Sequence, residues 1–286
     1  MTADTGRPGL PVRHATVAPV VAVRGRHVET RDDHLVGEEP MEIRVSGPGQ
    51  EPASIAVTMR TPGHEAELAV GFLYTEGLID GPEVLGVEFA DPAESAQPDD
   101  VILVRLARPF DPSLAAERHF VATASCGICG KATLDEIEVR CRPIPDGPVV
   151  VRSTIVGLPG TLREAQRVFD ATGGLHAAGL FATDGGLVSV REDVGRHNAL
   201  DKLIGEQVLA GRMPLNDRVL LVSGRISFEI VQKAAVAGIP IACAISAPSD
   251  LAVEAAERLG VTLVGFLRGD GFNVYAHPER IELGAR

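Results

Sequence analysis

The sequence predicts an α/β protein whose larger part is built on a parallel sheet, preceded by a smaller mixed α/β part. Three observations carry this. From residue 219 the chain alternates short, continuously apolar segments with helical ones: a strand over 219–222, a helix over 227–237, a strand over 239–245, a helix over 250–259 and a strand over 261–266. Strands that are apolar along their whole length are covered on both faces, and right-handed crossovers make three such strands parallel. Hydrophobic residues make up 45% of the 286, yet aromatics supply only 4% and Trp none, so the core is built from aliphatic side chains. Finally, the length exceeds one average domain, and the rhythm before residue 149 differs from that after it.

Taken in order, residues 1–15 carry Pro8, Pro11 and scattered charge without a period, and are expected to form a disordered tail. Residues 16–148 form the mixed part. Strands are expected over 20–23, 41–45 and 54–59, separated by breaks rich in Gly and Pro. Thr61-Pro62-Gly63 opens a helix that carries Leu68, Phe72, Leu73 and Ile79, with Gly77 and Gly81 near its end. Further strands over 84–89 and 101–106 flank a polar loop at 91–100. A cysteine-bearing loop follows, then a short helix over 132–137.

Residues 149–286 form the second part. Thr161-Leu-Arg-Glu164 has the spacing of a capping box and predicts a helix from there to Gly173-Gly174. Segments 175–183 and 187–190 read as a hairpin about Asp184-Gly185-Gly186. A helix over 196–210 presents Leu200, Leu203, Ile204 and Val208 on one face.

The formal net charge of −12 argues against a bulk electrostatic footprint for nucleic acid or an anionic membrane. No run reaches the eighteen or so apolar residues of a membrane span, and no signal peptide is apparent. Four cysteines are too few for a disulfide scaffold and fit a reducing compartment, so a cytoplasmic protein is expected.

The stretch with the most chemical content is Thr123-Ala-Ser-Cys126-Gly-Ile-Cys129-Gly130-Lys131. Glycine after each thiol removes a Cβ and lets a bulky reactant approach. A thiol reacts as thiolate, and a Cys-x-x-Cys turn near a cation is where its pKa falls. A reactive thiol is the favoured reading. The alternative is half of a zinc site, but a zinc ribbon needs a second such pair and the chain has none. No metal site is assigned. Cys243 is expected in the core, and Cys141 has strand-like neighbours.

Parallel strands bring the loops after them to one edge, where ligands of open α/β sheets bind. These loops are Ser223-Gly-Arg225-Ile-Ser227, Ser246-Ala-Pro-Ser249-Asp250 and Leu267-Arg268-Gly269-Asp270-Gly271. The first two lead into helix N-termini, which favour anions, and Arg225 and Arg268 add bidentate phosphate donors. Ordinary N-capping by the serines is the plainer reading of any one loop; three on one edge favour a nucleotide-type phosphate site. Neither a G-x-G-x-x-G fingerprint nor a Walker pattern is present. Glu192-Asp-Val-Gly-Arg-His-Asn198 stands directly before a helix. Its carboxylates read as caps, while Arg196 and His197 stay open between capping and ligand binding. His176 reads as a buried or half-buried structural histidine.

The run Ser125-Cys-Gly-Ile-Cys-Gly130, with Glu192 to Asn198, Ser223-Gly-Arg-Ile-Ser-Phe-Glu229 and Gly265-Phe-Leu-Arg-Gly269, resembles the FdhD family of formate dehydrogenase accessory sulfur carriers. The resemblance covers roughly residues 17–281. It implies a cytidine-deaminase-like three-layer α/β fold. It also implies a sulfurtransferase that passes persulfide sulfur from a cysteine desulfurase to the bis-molybdopterin guanine dinucleotide form of the molybdenum cofactor, for the formate dehydrogenase catalytic subunit. On this resemblance Cys126 is the persulfide carrier; in the mechanism expected from thiolate chemistry, Cys129 assists by attacking the inner sulfur of Cys126. Phe266, Leu267, Arg268, Gly269, Asp270 and Gly271 bind the cofactor as cargo, together with Ser223 and Arg225 from the anion edge. A homodimer is expected, with no nucleic-acid or membrane partner. The alternatives are a non-catalytic zinc- and nucleotide-binding chaperone and a zinc-dependent deaminase. The latter needs H-x-E and P-C-x-x-C; here Ala66 stands two residues after His64, and Ser125 precedes Cys126.

Overall fold

The computed structural model describes residues 15–90, 100–116, 143–144 and 147–284. Its chief element is a six-stranded mixed sheet in the order β13-β12-β11-β10-β8-β9. The three central strands are the apolar segments of the βαβαβ run: β10 (Arg218–Val222), β11 (Ile241–Ala244) and β12 (Thr262–Arg268). They are parallel, with Leu221 beside Cys243 and Cys243 beside Val264. β8 (His176–Ala182) and β9 (Leu187–Asp193) form the expected hairpin on one flank, and β13 (Gly271–Ala276) closes the other flank antiparallel to β12.

Alternate residues of these strands point to opposite faces, and each face has its own cover. On one lies α3 (Arg152–Ala165), which buries Ile155, Leu158 and Leu162 against Phe181, Val219, Leu221 and Cys243. On the other, α5 (Arg196–Leu209), α6 (Phe228–Val236) and α7 (Asp250–Leu259) pack on Leu180, Leu220, Ala242 and Leu263. The result is three layers, helix on sheet on helix.

The mixed part supplies a second sheet, β4-β3-β6-β5, from β3 (Glu39–Ser46), β4 (Ala53–Arg60), β5 (Val84–Phe89) and β6 (Val101–Leu106). Helix α1 (Glu65–Thr75) joins it to the larger part. Met41, Ile43, Leu68, Leu73 and Val104 share one continuous core with Leu200, Leu203, Leu220 and Ile230. Helices α1 and α5 approach so closely that a Cβ on Gly71 would fall on the carbonyl oxygen of Asp201, and one on Gly205 on that of Glu67. Residues 198–205 of α5 are accordingly buried all round.

Several expectations are corrected. The helix assigned to Thr161 begins at Arg152, so Thr161 lies inside it and no capping box forms. Pro159 sits in its interior; the apolar row Ile155, Leu158 and Leu162 holds the segment helical despite the lost amide donor. The helix breaks at Gln166, and a separate short α4 (Arg167–Thr172) ends at Gly173. Helix α1 stops at Thr75, before Ile79. The supposed tail extends only to residue 14 at most, because β1 (Ala15–Arg24) pairs along its whole length with an unforeseen strand β2 (His27–Val36). This ribbon meets the body at its base, where Val36 lies against Gly174. A short α2 (Ser113–Ala116) and the two-residue strands β7 (Val150–Val151) and β14 (Ile281–Glu282), which pair in parallel, were not foreseen either. The helix expected over 132–137 lies outside the described residues. Among the described residues, no helix is long and apolar enough to cross a membrane.

Candidate functional site

The strand-end rim forms where β10, β11 and β12 stop, and the loops after them are stitched together by backbone hydrogen bonds. Ile226 donates to the carbonyl of Ala247 (3.2 Å), Ser249 to that of Ile226 (3.1 Å) and Phe266 to that of Ser246 (2.9 Å). The antiparallel neighbours add the start of β8 and the end of β9, so His176, Asp193 and the first turn of α5 face the same edge. Five chain segments meet there.

The rim residues have unequal freedom. Ser223 holds β8: its hydroxyl accepts from the Ala177 amide at 2.9 Å, and its own amide donates to the Ala177 carbonyl. Leu267 is fully buried in the core under α3. Phe266 has a positive φ of 53°, and a register irregularity follows it in β12. Its ring carries the Arg268 guanidinium 5.5 Å above the centroid. Arg268, Gly269, Asp270 and Gly271 are exposed at the β12–β13 turn, a hairpin with no helix behind it. Arg225 is exposed. Of the two serines before helices, Ser249 caps α7 by accepting from the Ala252 amide, whereas Ser227 makes no side-chain cap to α6. Cys126 and Cys129, with Lys131 and Cys141, lie outside the described residues. Cys243 is in the core as expected, and burial pushes its thiol pKa up.

The carboxylates before α5 are structural. Glu192 accepts from the Val168 and Phe169 amides at 3.0 and 2.9 Å, capping α4 and not the helix that follows it in sequence. Asp193, fully buried, accepts from the Gly195 and Thr61 amides and pairs with Lys202 Nζ at 2.7 Å. Lys202 also donates to the Thr61 carbonyl, and Asn198 Nδ2 to that of Met59. This network clamps the end of β4 to the rim. A second buried group lies deeper: Lys233 donates to Thr75 (2.8 Å), Glu76 (3.0 Å) and Asp201 (2.9 Å). Sequence reasoning passed over both. The available signal was Asp201-Lys202 among the apolar residues of α5 and Lys233 among those of α6, since charged groups are almost never fully buried unless paired.

His197 sits between these networks. Its Nε2 lies 3.3 Å from Ser227 Oγ and 3.9 Å from Glu229 Oε2. Burial, then the charges of Lys233 and Arg196, bring its pKa down to about 4, so the ring is neutral near pH 7. His176 is half-buried, and burial followed by Arg196 lowers its pKa too.

The FdhD/NarQ family model matches residues 36–282, which include every rim segment above. The chain belongs to the FdhD/NarQ family. Relatives described as sulfur carrier protein FdhD include those of Streptomyces avermitilis, 49% identical over 93% of this chain and 95% of its own, and Mycobacterium tuberculosis, 46% identical over 94% and 96%. One from Sulfurisphaera tokodaii is 44% identical over 92% and 97%. A crystal structure from Desulfotalea psychrophila, described as a formate dehydrogenase accessory protein, superposes with a TM-score of 0.71 at 26% identity, covering 94% of this chain and 99% of that one.

Proposed function

We propose that this member of the family is a sulfur carrier serving formate dehydrogenase, and that it delivers sulfur to bis-molybdopterin guanine dinucleotide held as cargo at the rim. The observation that carries the reading is the level of identity, over nearly the whole chain, to relatives described as sulfur carriers, in a chain that has the Cys126-Gly-Ile-Cys129 pair. The α/β/α layering is compatible with the cytidine-deaminase-like arrangement that the sequence resemblance implies, and a homodimer is part of the same reading.

The chemistry balances as follows. Cys126 thiolate attacks the outer sulfur of a desulfurase persulfide, so that Cys126 gains a persulfide and the donor leaves as thiolate. At delivery, Cys129 thiolate attacks the inner sulfur of that persulfide. A Cys126–Cys129 disulfide forms, and the terminal atom leaves as sulfide, reduced by the two electrons the thiols give up. A cellular dithiol then restores the pair. The rim's part is to hold the anionic cargo; exposed Arg225 and Arg268 suit phosphates.

The test is intact mass of the protein after incubation with a cysteine desulfurase and cysteine. One added sulfur, mapped to Cys126, is expected. Stoichiometric zinc in protein purified without chelator, and no added sulfur, would replace the reading with that of a zinc-binding chaperone.

A further inference from the structure

We infer that Arg196 forms a phosphate- or pyrophosphate-binding subsite at the rim, a residue distinct from the two arginines that the loops themselves supply. The inference rests on the cargo-binding reading of the rim. Arg196 opens α5, a helix of fourteen residues whose N-cap, Gly195, has no side chain to satisfy the first turn. Its Nε is buried and has no hydrogen-bond partner. Among the described residues, no carboxylate lies within ion-pair distance of its guanidinium, although the surroundings are rich in acids.

Those acids are already committed. Asp193 is taken by Lys202 and by the Gly195 and Thr61 amides, and Glu192 by the amides of α4. Burial pushes the Glu229 carboxyl up, but the Ser227 hydroxyl, its own amide and the charges of His197 and Arg196 hold it below the usual carboxylate range, so it faces Arg196 at a distance without pairing with it. Buried arginine nitrogens are ordinarily paired, and an orphan one in a native fold calls for a missing partner.

The loop beside it comes close for a reason legible in the chain. The loop after β10 passes Arg196 at Gly224, where a Cβ would stand 3.1 Å from His176 Nδ1 and 3.9 Å from Arg196 Cδ. Only bare backbone fits between the two side chains. On the other side Ser227, not spent on capping α6, places its hydroxyl between His197 and the Glu229 carboxylate. A neutral His176, a neutral His197, the Ser227 hydroxyl and the first-turn amides of α5 are hydrogen-bonding groups, and Glu229, bonded to Ser227, is the one carboxylate beside them. A tetrahedral oxyanion uses such a set fully, with the planar guanidinium giving parallel bonds to two of its oxygens.

Calorimetric titration of the full-length protein with inorganic pyrophosphate, inorganic phosphate and guanosine diphosphate tests this, alongside melting temperatures with and without ligand. Wild type is expected to bind pyrophosphate and the nucleotide. Arg196→Gln should weaken both by roughly ten- to a hundred-fold, with Arg196→Lys intermediate, the loss of a charge-assisted hydrogen bond. Because no protein group hydrogen-bonds the guanidinium and Glu229 acts on it only at longer range, Arg196→Gln should melt within a few degrees of wild type without ligand while losing the ligand-induced rise. Nucleotide binding that falls in Arg268→Ala but is unchanged in Arg196→Gln would overturn the subsite and leave the cargo-binding reading standing. Absence of any binding by wild type would overturn both, leaving only the persulfide test.

Discussion

Gly71→Ala should destabilise the protein, against the ordinary preference of helices. In an exposed helix interior, Ala is better than Gly by up to about 1 kcal/mol. Here the added methyl would fall on the Asp201 carbonyl oxygen, with the carbonyl carbon at 2.6 Å and the Gly205 amide nitrogen at 2.9 Å, where ordinary contact begins at 3.4 Å. All three are backbone atoms, so no side-chain rotation relieves the clash, and α1 and α5 must separate by about 1 Å. Overpacking of this kind typically costs about 1–3 kcal/mol. Separation also draws Asp201 away from Thr75, which α1 carries. We expect a net loss of about 2 kcal/mol or more by urea unfolding, and a fall in Tm of several degrees. Gly205→Ala should behave alike, and the double variant should lose less than the sum, because one displacement of the helices admits both methyls. A Gly71→Ala protein as stable as wild type, or more so, would refute the close crossing.

Lys233→Met should cost about 3–5 kcal/mol, since it strands the buried Asp201 carboxylate, and pairing it with Asp201→Leu should recover much of that in chemical unfolding. Acid should unfold the protein in two windows. His197, held near 4, stays neutral in the fold while the unfolded chain takes up a proton below about 6.5, so stability falls from pH 6.5 toward 4, by at most about 3 kcal/mol. Burial alone would raise Glu67, but Arg191 and His64 hold it at about 2, so its contribution is present above 4.5 and lost from there toward 2. His197→Asn should flatten the first window and Glu67→Gln the second in a Tm-against-pH series. Cys126→Ala should abolish activation of a formate dehydrogenase client without lowering Tm, and Cys129→Ala should have a milder effect; full client activity in Cys126→Ala would end the carrier assignment. Arg225→Ala and Arg268→Ala should each weaken guanosine diphosphate binding by roughly ten- to a hundred-fold, and added salt should weaken it in wild type.

The larger part was legible because its strands are apolar on both faces and its turns carry Gly or Asp at the positions the backbone needs. What failed was local. Pro159 and the Thr161-to-Glu164 spacing imitate a helix start, and only the sheet beneath Ile155 and Leu158 reveals that the helix is already under way. Strand β2 reads Glu29-Thr-Arg-Asp-Asp-His34, with no apolar alternation, and is a strand because β1 supplies its hydrogen bonds. At the rim, position was readable and occupation was not. Nothing local to Ser223 says that its hydroxyl belongs to Ala177, or that Leu267 turns inward while Arg268 turns out. At Arg196 the signal is a buried guanidinium nitrogen without a hydrogen-bond partner, and that is visible solely in three dimensions.

The β1–β2 ribbon divides the molecule's opening behaviour into two scales. Two strands alone form a marginal structure, and the row Val17, Val21, Val23 and Val28 remains over half exposed, from 55% at Val17 to 66% at Val21. Amides of the ribbon should therefore exchange with deuterium through local fraying, while those of β10 and β11 wait for the whole core to open. Its Gly25-Arg26 tip presents arginines to a trypsin-like protease without asking the body to unfold. A single nick there would leave a folded body whose melting is nearly that of the intact chain, and whose outer arm has become a separable piece.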